Sequence, residues 1–221
     1  TGTTTAGLAC GGDTGPSGSG GPGVANVESW NGSAWTETTD LNNARQGAGG
    51  SGITTSSLIF GGYDGTRTAN TEHWNGSSWT EMNNLAAGRS NPGGVGTAYN
   101  TALCFGGATP SNTANTESFD GTSWTEVNNL NTARANMASA GDATSALSIG
   151  GYSTAVVAIV ELWDGTSWTE TTDLSTGRYF MAGAGTTTAG LGMGGETSTA
   201  AVTNNEEWTA PTTSTVTFTA S

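Results

Sequence analysis

Lysine is absent from this 221-residue chain, histidine occurs once and cysteine twice. Without lysine there is no side-chain amine for a Schiff base, and so few His and Cys leave nucleophilic catalysis almost nothing to work with. The lone His73 also rules out a histidine-rich metal site. No catalytic, metal or cofactor site is therefore expected, and the chain reads as a non-enzyme. Charge is scarce too: 10% of residues are charged, with a net charge of −13. Nucleic acid and anionic membrane both need clustered basic residues, so neither is expected as a partner. No apolar run has the length to span a bilayer, so no membrane insertion is expected. No secretory leader opens the chain and residue 1 is Thr, so the sequence reads as a piece of a longer chain or larger assembly.

What remains is mostly Gly, Thr, Ser, Asn and Ala. Such a composition alone is compatible with disorder. Eight tryptophans at regular intervals argue against it.

The regularity is an internal repeat. Gly-Gly pairs stand at Gly11-Gly12, Gly61-Gly62, Gly106-Gly107, Gly150-Gly151 and Gly194-Gly195. A Glu-x-aromatic triplet follows each: Glu28/Trp30, Glu72/Trp74, Glu117/Phe119, Glu161/Trp163 and Glu206/Trp208. Five residues on comes a second tryptophan in four repeats, Trp35, Trp79, Trp124 and Trp168. Then come Leu41, Leu85, Leu130 and Leu174, each four residues before Arg45, Arg89, Arg134 or Arg178.

One repeat reads as four strands. Gln46 to Gly50, a run of small residues, predicts an inner strand, and Leu58 to Phe60 a second strand covered on both faces. Thr71 to Trp74 alternates so that Glu72 and Trp74 share a face, and Trp79 to Met82 is the fourth strand. Between the last two lies Asn31-Gly32, Asn75-Gly76, Asp120-Gly121 or Asp164-Gly165, read as a two-residue type I′ hairpin. Four-stranded units at a period of about 44, with no helical periodicity, predict a single all-β domain over residues 1–221. The expected fold is a five-bladed β-propeller of four-stranded antiparallel blades.

This order of Gly-Gly, Glu-x-aromatic, Trp, Leu and Arg resembles the kelch repeat over essentially the whole chain. It departs in having Trp or Phe at the kelch Tyr position and a shorter gap to the second Trp. Ser118 to Trp124 looks weakly like a sialidase Asp-box but lacks the residue between Asp and Gly. The Cys, Tyr and His constellation of kelch-type copper oxidases is not reproduced. The lysine-free, Thr- and Gly-rich repeats resemble kelch-like proteins of phages and marine microbes, which implies an extracellular or virion-associated location.

The repeat glutamates Glu28, Glu72, Glu117, Glu161 and Glu206 are read as structural partners of Arg45, Arg89, Arg134 and Arg178, since function tends to break repeat symmetry. The paired tryptophans are read as packing between blades, and Cys10 and Cys104 as buried free thiols. The run Thr215 to Thr219 is expected to be the fourth strand of blade five, with an inner strand of blade one as the alternative. Functional signal is sought where repeats differ, in the loops after each Gly-Gly pair. There Tyr63, Asp64, Arg67 and Tyr152 are the expected ligand contacts, by stacking and hydrogen bonding, with neutral drift as the competing reading. The expected function is non-catalytic binding or display, with a glycan or protein receptor as ligand. The alternatives are a structural or assembly module and an intracellular kelch-type protein-interaction domain.

Overall fold

The computed structural model describes residues 1–15 and 23–210. The described residues form eighteen strands and no helix. Blade one comprises Gly7–Cys10 (β1), Val27–Trp30 (β2) and Trp35–Glu37 (β3). Blade two comprises Gly49–Ile53 (β4), Ser56–Phe60 (β5), Thr71–Trp74 (β6) and Trp79–Met82 (β7). Blade three runs Gly93–Ala98 (β8), Thr101–Phe105 (β9), Thr116–Phe119 (β10) and Trp124–Val127 (β11). Blade four runs Ala138–Asp142 (β12), Ser145–Ile149 (β13), Val160–Trp163 (β14) and Trp168–Glu170 (β15). Blade five runs Ala182–Gly185 (β16), Ala189–Met193 (β17) and Asn205–Thr209 (β18). Every sheet is an antiparallel meander in chain order.

Three blades have four strands; among the described residues blades one and five have three. The run Thr215 to Thr219 lies outside the described residues. In blade one, the Thr1 amine donates to Leu8 O at 3.0 Å and Leu8 N–H returns a bond to Thr1 O at 2.8 Å. Gly2 bridges Gly7 in the same ladder. Thr1 and Gly2 thus stand where Ala184 and Gly185 stand against Leu191 and Gly190 in blade five.

Two local expectations are corrected. The inner strand of blade two begins at Gly49 rather than Gln46, because Gln46 and Tyr63 instead exchange backbone hydrogen bonds between two loops. The hairpins between third and fourth strands are not two-residue type I′ turns. Of each Asn/Asp-Gly pair only the glycine has positive φ, for example Gly76 at 97°. The loop is four residues long, and Asn75 Oδ1 accepts the N–H groups of Ser77 and Ser78, both at 3.0 Å. Asp120 and Asp164 do the same at 2.8 Å. The Asn/Asp side chain closes the turn, so only one residue needs the left-handed region.

The inner strands are made of small residues because the second strands press on them. A Cβ at Gly49 would stand 2.4 Å from the Phe60 ring, and one at Gly93 would stand 2.2 Å from Phe105. Phe60, Phe105, Leu58, Leu103 and Leu147 are fully buried. Each second tryptophan of blades two to four reaches back into the preceding blade. Trp79 Nε1 donates to Thr39 O at 3.0 Å, Trp124 to Thr71 Oγ1 at 3.0 Å and Trp168 to Thr116 Oγ1 at 3.1 Å.

Candidate functional site

The repeat carboxylates are the first candidates for chemistry, and the fold seals most of them. Glu72, Glu117 and Glu161 are buried in ion pairs with Arg45, Arg89 and Arg134, and Glu206 pairs with Arg178 at 2.6 Å. Each arginine joins two blades. Its carbonyl accepts from a Gly-Gly amide of one blade, as Gly62 N–H to Arg89 O at 2.8 Å, while its guanidinium enters the next blade. There Arg89 also donates to Asn115 O at 2.9 Å. The second carboxylate oxygen takes a backbone N–H just after the repeat leucine, that of Asn42, Ala86, Asn131 or Ser175. Such a buried network specifies geometry more than it adds net stability. Glu28 is a correction: it is exposed and has no ion pair among the described residues.

The symmetry breaks at the mouth of the axial channel. Two residues after each arginine stand Gly47, Asn91, Asn136 and Phe180, all with φ between 53° and 58°. They form a collar from blade to blade: Asn91 N–H donates to Gly47 O at 2.7 Å, Asn136 to Asn91 O at 3.1 Å and Phe180 to Asn136 O at 3.0 Å. Glycine and asparagine accept this left-handed backbone readily; for phenylalanine it costs on the order of 1–2 kcal/mol. Phe180 is also 57% exposed, the most open large hydrophobic side chain among the described residues.

The collar rims a depression of about 240 Å³ with Ala48, Pro92, Met137 and Met181 below it. Asn136 Oδ1 is buried there without a hydrogen-bond partner. A second hollow of about 270 Å³ shares Gly47 and Asn91 and extends to Gln46 and Tyr63. On the other side an aromatic row leaves Phe180: Tyr179 lies 4.9 Å from it and 6.0 Å from Tyr152, centroid to centroid. Tyr179 Oη donates to Glu196 Oε2 at 2.9 Å, and this bond pushes the phenol pKa up.

Of the four ligand contacts expected from sequence, Tyr63 and Tyr152 are exposed at this mouth, on opposite flanks. Asp64 is engaged in its own turn, accepting from Thr66 N–H at 3.0 Å and Thr66 Oγ1 at 3.1 Å. Arg67 is exposed, and its backbone bridges Tyr63. Sequence reasoning missed Asn91, Asn136, Tyr179 and Phe180. A signal was present: the two residues after the constant arginine read Gln-Gly, Ser-Asn, Ala-Asn and Tyr-Phe, as unlike as the loops after Gly-Gly. Asn112 Nδ2 donates to Tyr152 O at 2.8 Å and Ser153 O at 2.7 Å, locking neighbouring loops together.

Blade sheets around a channel, with a variable loop face over constant cross-blade pairs, define a five-bladed β-propeller. The solved structure of YjhT superposes with a TM-score of 0.76 at 14% identity, over 93% of this chain and 79% of that one. This likeness is one of fold. The sequence matches no protein-family profile and no curated protein.

Proposed function

We propose that this chain is a non-catalytic, kelch-like binding or display domain that takes a glycan at the loop-face mouth. The observation that carries the reading is Phe180, an exposed aromatic held in a strained backbone where its equivalents are Gly and Asn. Backbone strain persists where surrounding structure over-determines it, and it clusters at ligand sites. Beside Phe180 stand two more aromatic faces and the amides of Asn91 and Asn136. Aromatic faces with a few fixed polar groups suit a sugar ring, whose apolar face stacks and whose hydroxyls hydrogen-bond. The hollows match one or two sugar units rather than an extended peptide groove.

Glu72, Glu117 and Glu161 are held in buried ion pairs out of reach of a substrate, which supports the non-catalytic reading for these three carboxylates. An extracellular or virion-surface setting follows from the resemblance to phage-encoded repeats. The experiment is a glycan array probed with the intact chain and with the Tyr152→Ala/Tyr179→Ala double variant. The reading requires saturable binding by the parent that the variant loses; binding unchanged in the variant, or no binding at all, removes it.

A further inference from the structure

The two hollows at the mouth meet: the depression of about 240 Å³ and the hollow of about 270 Å³ share Gly47 and Asn91. Asn91 divides them. Its backbone belongs to the collar, donating to Gly47 O at 2.7 Å, and its side chain lies across Gly47. A Cβ at Gly47 would stand 2.3 Å from Asn91 Oδ1, so the amide can lie there only because residue 47 has none. Gly47 is also the one member of the collar without a side chain, its equivalents being Asn91, Asn136 and Phe180. The passage from one hollow to the other is therefore bounded by main chain and a single amide.

Each hollow has an aromatic face of its own. Phe180, 57% exposed, borders the first, and Tyr63, 36% exposed, borders the second. The first has an apolar floor of Pro92, Met137 and Met181, with Asn136 Oδ1 buried in it unpaired. A buried acceptor without a donor is costly until a ligand or water supplies one. Both hollows fall below the roughly 300 Å³ at which pockets for drug-sized molecules begin, so each suits one small ring. On the glycan reading above, we propose that the mouth takes two consecutive sugar units of a linear glycan, one in each hollow. One unit stacks on Phe180 and donates a hydroxyl proton to Asn136 Oδ1, and the next stacks on Tyr63. The Asn91 amide both donates and accepts, so it serves the two units at the linkage between them. Gly47 is the positioning residue that lets Asn91 lie there.

Monomers and dimers of glucose, galactose, mannose and N-acetylglucosamine, the dimers in α and β linkage, are titrated into the intact chain by calorimetry. Expected is a series in which the dimer binds about tenfold or more tighter than its monomer, the worth of one further aromatic contact. Tyr63→Ala and Gly47→Asn should each bring the two affinities together. Tyr63 is exposed, and asparagine already holds the backbone of residue 47 at Asn91 and Asn136, so both variants should fold. A merely structural lesion would weaken monomer and dimer alike and leave their ratio standing. Equal affinity of parent for monomer and dimer would overturn the two-unit proposal and leave the glycan reading intact, as would a dimer advantage that survives Tyr63→Ala. An advantage that survives Gly47→Asn would overturn the role of Gly47. No binding to any of these sugars would overturn the proposal, and no binding on the glycan array would remove the glycan reading with it.

Discussion

Arg89 and Glu117, 28 residues apart, form a buried ion pair in which the arginine backbone belongs to one blade and its partner to the next. The same relation recurs at Arg45–Glu72, Arg134–Glu161 and Arg178–Glu206, so the four junctions between consecutive blades are coupled by one repeated device.

Arg89→Ala leaves Glu117 buried without its counter-charge, and a loss of about 3–5 kcal/mol is expected. Chemical denaturation measures it. The double variant Arg89→Met/Glu117→Leu, which removes both charges, should recover much of that loss. Equal stability of Arg89→Ala and the parent would contradict a structural role for the pair.

Acid should weaken the protein through its turns and its last junction. Burial pushes the Glu206 carboxyl up, but the donors of Ser175 and the Arg178 guanidinium outweigh it and hold the group below the usual carboxylate range. The N–H groups of Ser167 and Thr166 hold Asp164 down, and those of Ser123 and Thr122 hold Asp120 down. A depressed folded pKa gives stability that is present above the unfolded value, near pH 4, and is lost as pH falls through the folded value. Asn31 and Asn75 close the same turn without titrating. Asp164→Asn should therefore fold normally and lose less melting temperature between pH 6 and pH 3 than the parent. An unchanged acid slope would remove Asp164 from this account.

Gly93→Ala tests why the inner strands are so small. Its Cβ would meet the Phe105 ring at 2.2 Å, and overpacking of this kind costs about 1–3 kcal/mol. Adding Phe105→Leu should restore part of the loss. A Gly93→Ala protein as stable as the parent would show that the Phe105 ring moves aside easily and that its pressure does not dictate a small residue there.

Phe180→Gly separates folding from binding. Glycine relieves the positive φ, so stability should stay within about 1 kcal/mol of the parent. Ligand affinity at the mouth should fall at least tenfold, while Ser77→Ala in a hairpin on the opposite face should leave it unchanged. A ligand bound equally well by Phe180→Gly would move the site elsewhere.

Burial pushes the Cys104 thiol up to about 12 and the Cys10 thiol up to about 11. Neither thiolate forms at neutral pH, so the native chain should resist aromatic disulfide reagents and release two thiols on unfolding. Fast reaction of the native chain would show that blade one opens.

The strand order, the five blades and the Arg and Glu positions were legible in the sequence, because strand alternation and turn residues are local and recur in register. Thr71–Trp74 and Trp79–Met82 are the strands the pattern predicts, to the residue. The hairpin type was misread at Asn75-Gly76, since the dipeptide does not reveal that the asparagine side chain, rather than a second positive φ, closes the loop. Glu28 and Trp35 carry the same letters as Glu72 and Trp79, yet the first pair is exposed and the second buried. Repetition fixes what each residue offers to its own blade. Whether that offer is met depends on a neighbouring blade some forty residues away in the chain, and only the packing of blade against blade decides it. The collar of Gly47, Asn91, Asn136 and Phe180 is of the same kind: four unlike residues become one rim through hydrogen bonds between blades.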